Sequence, residues 1–227
     1  MTHRTLRFAV KPLVFLAALA PVGWLAWAAS TGNLSANPLS DITNETGVWA
    51  IRFVCVTLAI TPLRNATGWN PLAKFRRMAG LFAFFYATLH FLTYVVADRF
   101  AGLDFPNGIA SWTTLEALAR SVIADVYKRP FITVGFLAWL TMLPLAITST
   151  AAWIRRLGGQ KWNRLHKVVY ATGMVAVLHY WWLVKSDIRR PLVYAAVVCI
   201  LLAFRVHKSL RKRAGEYSIH ARRLSSA

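Results

Sequence analysis

Acid is scarce in this sequence. Asp and Glu number 8 against 27 Lys and Arg, leaving a net charge of +19. Cysteine occurs only twice, which excludes a disulfide scaffold. Nine Pro and twelve Gly fall without a period, so neither a collagen repeat nor a low-complexity chain fits. There is no Gly-x-Gly-x-x-Gly and no Walker loop, and hence no recognisable nucleotide-binding turn. Charged residues make up 15% of the chain, where about 25% is usual for a soluble domain. In their place stand 57% hydrophobic residues, ten of them Trp, and a mean hydropathy of +0.45. These proportions predict an all-α polytopic membrane protein.

A hydrocarbon core of about 30 Å needs roughly 20 apolar residues per helix. Six stretches qualify: 8–29, 48–62, 78–97, 130–150, 167–185 and 191–207. They predict one transmembrane domain over 1–227, a bundle of about six helices with a basic tail at 208–227. With both termini in the cytoplasm, 19 basic residues and the single acid Glu216 fall inside. Eight basic residues and seven acids (Asp41, Glu45, Asp98, Asp104, Glu116, Asp125 and Asp187) then fall outside. That asymmetry predicts this orientation and assigns the excess charge to topology and lipid headgroups, not nucleic acid. Trp24, Trp27, Trp49, Trp181 and Trp182 near outer span ends, with Trp69, Trp153 and Trp162 near inner ones, form the expected interfacial belts.

The first span has a second reading as a cleaved signal peptide, with Arg4, Arg7 and Lys11 ahead of the apolar run and Ala26-Trp27-Ala28 behind it. Its length and its Trp anchors favour a retained helix. Inner loops are expected to be short. The long outer connection opens with the turn Phe105-Pro106-Asn107-Gly108. It continues as an amphipathic surface helix, capped by Thr113 and Glu116, with Trp112, Leu115, Leu118, Val122 and Ile123 on its apolar face.

Histidine carries the chemistry. Ionisable residues inside a span are costly and mark functional sites. His90 lies 13 residues beyond Arg77, and His179 lies 13 beyond His166. At about 1.5 Å per residue, each stands roughly 20 Å up an outward-running helix. Two imidazoles at one depth have the makings of a metal site, and an intramembrane haem is the natural guest. Small residues below them (Ala83 and Ala87, Thr172 and Ala176) would leave room for a flat ring. The alternative is that each His simply hydrogen-bonds a neighbouring helix. His166 sits at the inner end of the fifth span, turned away from the His179 face unless the helix is distorted near Gly173. Arg76 and Arg77 stand at its depth; neither is an ordinary axial ligand, but either could hold a propionate, a flavin phosphate or a quinone oxygen.

Three segments now carry a resemblance. They are Ile60-Thr61-Pro62-Leu63-Arg64 with Gly68-Trp69-Asn70-Pro71; Arg76-Arg77-Met78-Ala79-Gly80-Leu81 with Tyr86 and His90; and Trp162-Asn163-Arg164-Leu165-His166-Lys167 with Tyr170 and His179. The chain resembles the ferric-reductase-like transmembrane domain over roughly 8–207, and within it the MsrQ/YedZ family of haem-binding membrane subunits. The resemblance implies b-type haem, with His90, His166 and His179 at the positions of the family's histidine ligands. The wider superfamily holds two haems with four histidines; here Arg76 or Arg77 stands where the fourth would be, so one haem is expected and a second is left open. FMN and the quinone pool are implied as family associations, without residues to assign for FMN.

The expected partner is a soluble periplasmic molybdopterin methionine-sulfoxide reductase, MsrP. No flavin or nicotinamide domain follows the last span, so electrons are expected from a quinol or a separate reductase. The overall expectation is an electron-transfer subunit in a bacterial inner membrane, with sulfoxide reduction residing in the partner. The rivals are a stand-alone ferric or metal reductase, a transporter, and a haem-free scaffold subunit.

Overall fold

A computed structural model of the chain describes residues 5–100, 112–184 and 187–225. Every regular element among them is helical. In chain order they are α1 (Lys11–Ser30, preceded by a π-helical turn Leu6–Val10), α2 (Pro38–Thr67), α3 (Arg76–Thr93), α4 (Trp112–Lys128), α5 (Pro130–Ile147), α6 (Ala151–Leu165), α7 (Val168–Leu183) and α8 (Arg189–Ser225). Five segments are long and apolar enough to cross a membrane: Phe8–Ser30, Pro38–Thr67, Asn70–Val96, Pro130–Ile147 and Arg189–Arg211. α7 is a shorter apolar helix beside these five. This is an all-α membrane protein.

α2, α3, α5 and α7 pack in a closed ring, each against the next. α8 lies against α2 and α7, and α1 against the α2–α3 side. The end at which α3 finishes and α5 begins is termed the upper end. α3 and α7 are thus diagonal neighbours, and residues near the top of each face one another across the bundle. Gly173 allows α7 to approach closely: a Cβ there would lie 3.3 Å from Leu58 and 3.6 Å from Val54. Small residues at such crossings let membrane helices associate by packing alone. Leu13, Leu16, Ile200 and Val206 are exposed in the chain and suit a lipid-facing surface. Arg52, within α2, is shielded differently. Its guanidinium lies 4.5 Å from the Trp49 ring centre, and Nε–H donates to Tyr194 Oη at 3.2 Å.

Hydropathy placed the second span at 48–62, whereas α2 runs 30 residues. Asn37 caps it, its side-chain oxygen accepting Ser40 N–H at 3.1 Å, and Pro38 sits in the first turn, where its missing N–H is harmless. Gly68, at φ 67°, ends it in the left-handed conformation. Asp41, Thr43, Asn44, Glu45 and Thr46 lower the hydropathy without breaking the helix.

The fifth span also differs. The 151–167 stretch is not a short loop but α6, bent at Gly158 (φ 74°, ψ 154°). The chain turns again at His166, so that residue caps α6 and does not belong to α7. Gly173 lies within regular α7, so no distortion there turns His166 toward the His179 face.

The turn at Phe105–Gly108 lies outside the described residues. α4 is present, but Thr113 lies inside its first turn and not ahead of it, and Glu116 pairs with Arg120 at 2.6 Å. Trp112, Leu115 and Ile123 are exposed, while Thr114 and Asp125 are buried. The helix is therefore seated by a polar anchor and not by its apolar stripe. Asp125 accepts Tyr94 Oη–H at 2.9 Å and pairs with Arg99 at 3.2 Å.

Tyr86, fully buried, donates its hydroxyl to the Ala18 carbonyl at 2.7 Å and ties α3 to α1. Tyr86→Phe should lower stability by about 0.5–1 kcal/mol, as expected for one interhelical hydrogen bond. Unfolding in mixed micelles checks this; an unchanged midpoint would mean that the bond contributes nothing.

Candidate functional site

Two cavities occupy the bundle, one above the other. The upper, of about 550 Å³, lies among α2, α3, α5 and α7 and includes His90, His179, Ala87, Ala176, Gly47 and Gly135 in its wall. The lower, of about 320 Å³, includes Arg64, Arg76, Arg77, Arg205, His166 and Trp162. Val54 and Met142 line both. With Leu58 and Ala83 they form a buried apolar cluster that separates the two spaces.

His90 and His179 meet in the upper cavity, with ring centres 6.0 Å apart and ring planes at 75°. Each ring is fixed by a backbone carbonyl on a different helix. Nδ1–H of His90 donates to Thr43 O at 2.8 Å, and Nδ1–H of His179 donates to Phe131 O at 2.7 Å. A carbonyl only accepts, so the proton sits on Nδ1 and Nε2 carries the lone pair. Neither Nε2 has a hydrogen-bond partner among the described residues. This is the arrangement found behind metal-bound histidines, where the second nitrogen is tied down by an outer-shell acceptor.

Two glycines make the arrangement sterically possible. A Cβ at Gly135 would fall 2.6 Å from His179 Cε1 and 2.7 Å from its Nδ1. A Cβ at Gly47 would fall 3.0 Å from His90 Nδ1. Both glycines, and the two carbonyls, escaped the sequence reading. Thr43 and Gly47 belong to the polar stretch that hydropathy had left outside the second span. Of the expected small residues, Ala87 and Ala176 do line this cavity, and Ala83 belongs to the separating cluster. Thr172 opens no space; it is fully buried and bonds Thr141 Oγ1 at 2.9 Å.

His166 lies in the other cavity, with Arg76 and Arg77. Trp162 stacks on it at 3.8 Å between ring centres. Its Nδ1 bonds the Trp162 carbonyl at 3.1 Å, and Ser149 Oγ lies 3.4 Å from Nε2. Burial holds its pKa below the ordinary imidazole value; the carbonyl bonds oppose this, and the charge of Arg76 adds to it. The ring is therefore neutral at pH 7. The structure brings His90 and His179 together and sets His166, Arg76 and Arg77 apart from them.

Arg205, within α8, also lines the lower cavity. It donates to Tyr170 Oη and, through a second amino group at 3.2 Å, to the Leu58 carbonyl. Its buried Nε–H has no acceptor among the described residues. Four arginines and, among the described residues, no carboxylate line this space.

Residues 46–178 match the family described as "Ferric reductase like transmembrane component". A protein-methionine-sulfoxide reductase heme-binding subunit MsrQ from Xanthomonas euvesicatoria pv. vesicatoria is 46% identical over 211 residues, covering 90% of this chain and 89% of its own length. The protein of the same name from Herminiimonas arsenicoxydans is 45% identical over 206 residues, covering 90% of this chain and 87% of its own. This chain belongs to the MsrQ family. No solved structure matches it. Both cavities of this MsrQ-family chain include residues from the matched segment, while Arg205 and α8 lie beyond it.

Gly135→Ala should destabilise the protein by about 1–3 kcal/mol, as overpacking does, and should break the His179 bond to Phe131. Gly23→Ala, where a Cβ meets nothing within 4 Å, should be neutral or mildly stabilising. Thermal unfolding with nitrogen-15 spectra of the histidines reads both effects. An unshifted His179 signal in Gly135→Ala would contradict the packing described.

Proposed function

We propose that this protein is a b-type haem electron-transfer subunit of a bacterial inner membrane. It passes electrons from the quinone pool, or from a flavin donor, to a periplasmic molybdopterin methionine-sulfoxide reductase of the MsrP kind. The observation that carries this reading is the His90–His179 pair. With a metal–nitrogen bond of about 2 Å and roughly 1 Å from nitrogen to ring centre, two imidazoles sharing one metal would have ring centres about 6 Å apart. The rings stand at 6.0 Å. Among the described residues no cluster of three His, Cys, Asp or Glu side chains exists. Two nitrogens alone suit a metal that brings its own equatorial ligands, as haem does, better than a bare ion that needs three or four protein donors. The relatives' printed name, heme-binding subunit, points the same way.

Bound haem supplies one-electron storage within the membrane. The protein's own residues do the rest. Thr43 and Phe131 hold the ligand tautomer, and Gly47 and Gly135 admit the rings. The Val54, Leu58, Ala83 and Met142 cluster keeps water from passing between the cavities while leaving them close enough for electron transfer.

The lower cavity receives the donor. Neutral His166 is available there to accept a proton, and Arg64, Arg76, Arg77 and Arg205 compensate negative charge. Oxidation of a quinol releases two electrons and two protons; reduction of a methionine sulfoxide consumes the same and yields the thioether and water. The charge asymmetry of the sequence supports an orientation with the upper end outside, in which the better-formed site faces the acceptor. His166 with Arg76 or Arg77 remains the location for any second haem or flavin.

Purified protein should display a reduced b-type α-band. His90→Ala and His179→Ala should each abolish the upper low-spin signal, while His166→Ala should leave it largely intact. A wild-type protein without haem absorption after expression with ample haem would overturn the reading, and favour a scaffold role. Reduction of ferric chelates without any partner would favour the stand-alone reductase.

A further inference from the structure

Haem has a flat apolar ring and two carboxylates, and the two parts need different surroundings. Ala87, Phe91, Phe136, Ala176 and Trp139 supply the apolar wall beside the paired imidazoles. The polar part of the same cavity is its upper rim, and the cations lining it are Arg129 and Arg190. They come from different helices, Arg129 capping the start of α5 and Arg190 in the first turn of α8.

Arg129 precedes by two residues Phe131, whose carbonyl orients His179, so one short backbone segment sets both. Its Nε pairs with Asp125 Oδ1 at 3.5 Å. Asp125 is already engaged by Tyr94 and Arg99, and its side chain is only 10% exposed. This anchor steadies the Arg129 stem and leaves both terminal amino groups without a carboxylate among the described residues. Arg190 likewise has no ion pair among the described residues. Glu45 and Asp187 share the rim. Asp187 is occupied as a cap, its Oδ1 accepting the Arg189 N–H at 3.2 Å. Two carboxylates brought in by a ligand would meet two forked donors on separate helices, a geometry that charge-assisted hydrogen bonds reward.

We propose that Arg129 and Arg190 hold the two propionates of the haem bound between His90 and His179, an inference that rests on the haem reading above. They fix the rotation of the ring about the iron–nitrogen axis, which the two imidazoles alone leave free.

The test compares haem transfer from the full-length detergent-purified protein to excess apomyoglobin. With native haem, Arg129→Gln and Arg190→Gln should each speed transfer about tenfold, the loss expected for one charge-assisted hydrogen bond. Arg129→Lys should recover part of the effect. Arg120→Gln, on the exposed face of α4, should transfer at the wild-type rate. Reconstitution with haem dimethyl ester, which lacks the carboxylates, should erase the difference between wild type and either glutamine variant.

Equal rates for wild type and both glutamine variants with native haem would overturn the assignment. So would an acceleration that persists with the ester, because it would place the effect in the fold and not in the propionates. A wild-type protein that binds no haem would instead remove the haem reading, and this inference with it.

Discussion

Two hydrogen bonds to backbone carbonyls organise this molecule. A histidine inside a membrane bundle will spend its nitrogens on whatever acceptor is near. Here Thr43 and Phe131 take the Nδ1 proton of His90 and of His179, so each ring offers the cavity its Nε2 lone pair. The carbonyls are themselves part of helices, and their positions depend on α2 extending well above the apolar stretch and on α5 starting at Pro130. Loss of either element would free a ring to rotate. The paired imidazoles thus depend on two helix starts, polar at Thr43 and apolar at Phe131, that are unremarkable when read as sequence.

The separation of the bundle into two cavities follows from the same packing. Gly173 draws α7 against α2, and Val54, Leu58, Ala83 and Met142 close the middle. Above that layer the cavity holds a histidine pair beside an apolar wall and beneath a charged rim; below it, the lining is rich in arginine and, among the described residues, free of carboxylate. A buried guanidinium with an unsatisfied N–H is costly unless something pairs with it. Arg205 is in that condition, which gives the lower cavity a chemical preference for an oxygen acceptor distinct from that of the upper one.

Much of this was legible before any coordinates. Hydropathy located the five long apolar helices and the shorter α7 because apolar side chains, Ala and Phe among them, dominate their composition. Counting from Arg77 and from His166 gave His90 and His179 the same height because α3 and α7 are both regular above those points. Other features were hidden for physical reasons. Gly47 and Gly135 look like any membrane glycine until a ring is placed against them. The α2 extension was missed because hydropathy reports solvent preference, and a capped helix continues through polar residues without penalty. His166 was assigned to the wrong element because a short turn between two helices leaves no proline or apolar gap behind. Arg205 resembled topology charge, and only its neighbours Tyr170 and Leu58 reveal that it turns inward.

His90 and His179, whose ring planes stand at 75°, are the two side chains that would hold the haem of the proposed function. Low-temperature electron paramagnetic resonance of the oxidised, purified protein tests this assignment most directly. Two imidazoles held nearly perpendicular predict a strongly anisotropic low-spin ferric signal that disappears when either histidine is replaced. A high-spin ferric signal, or a low-spin signal that survives loss of His90 or of His179, would contradict it.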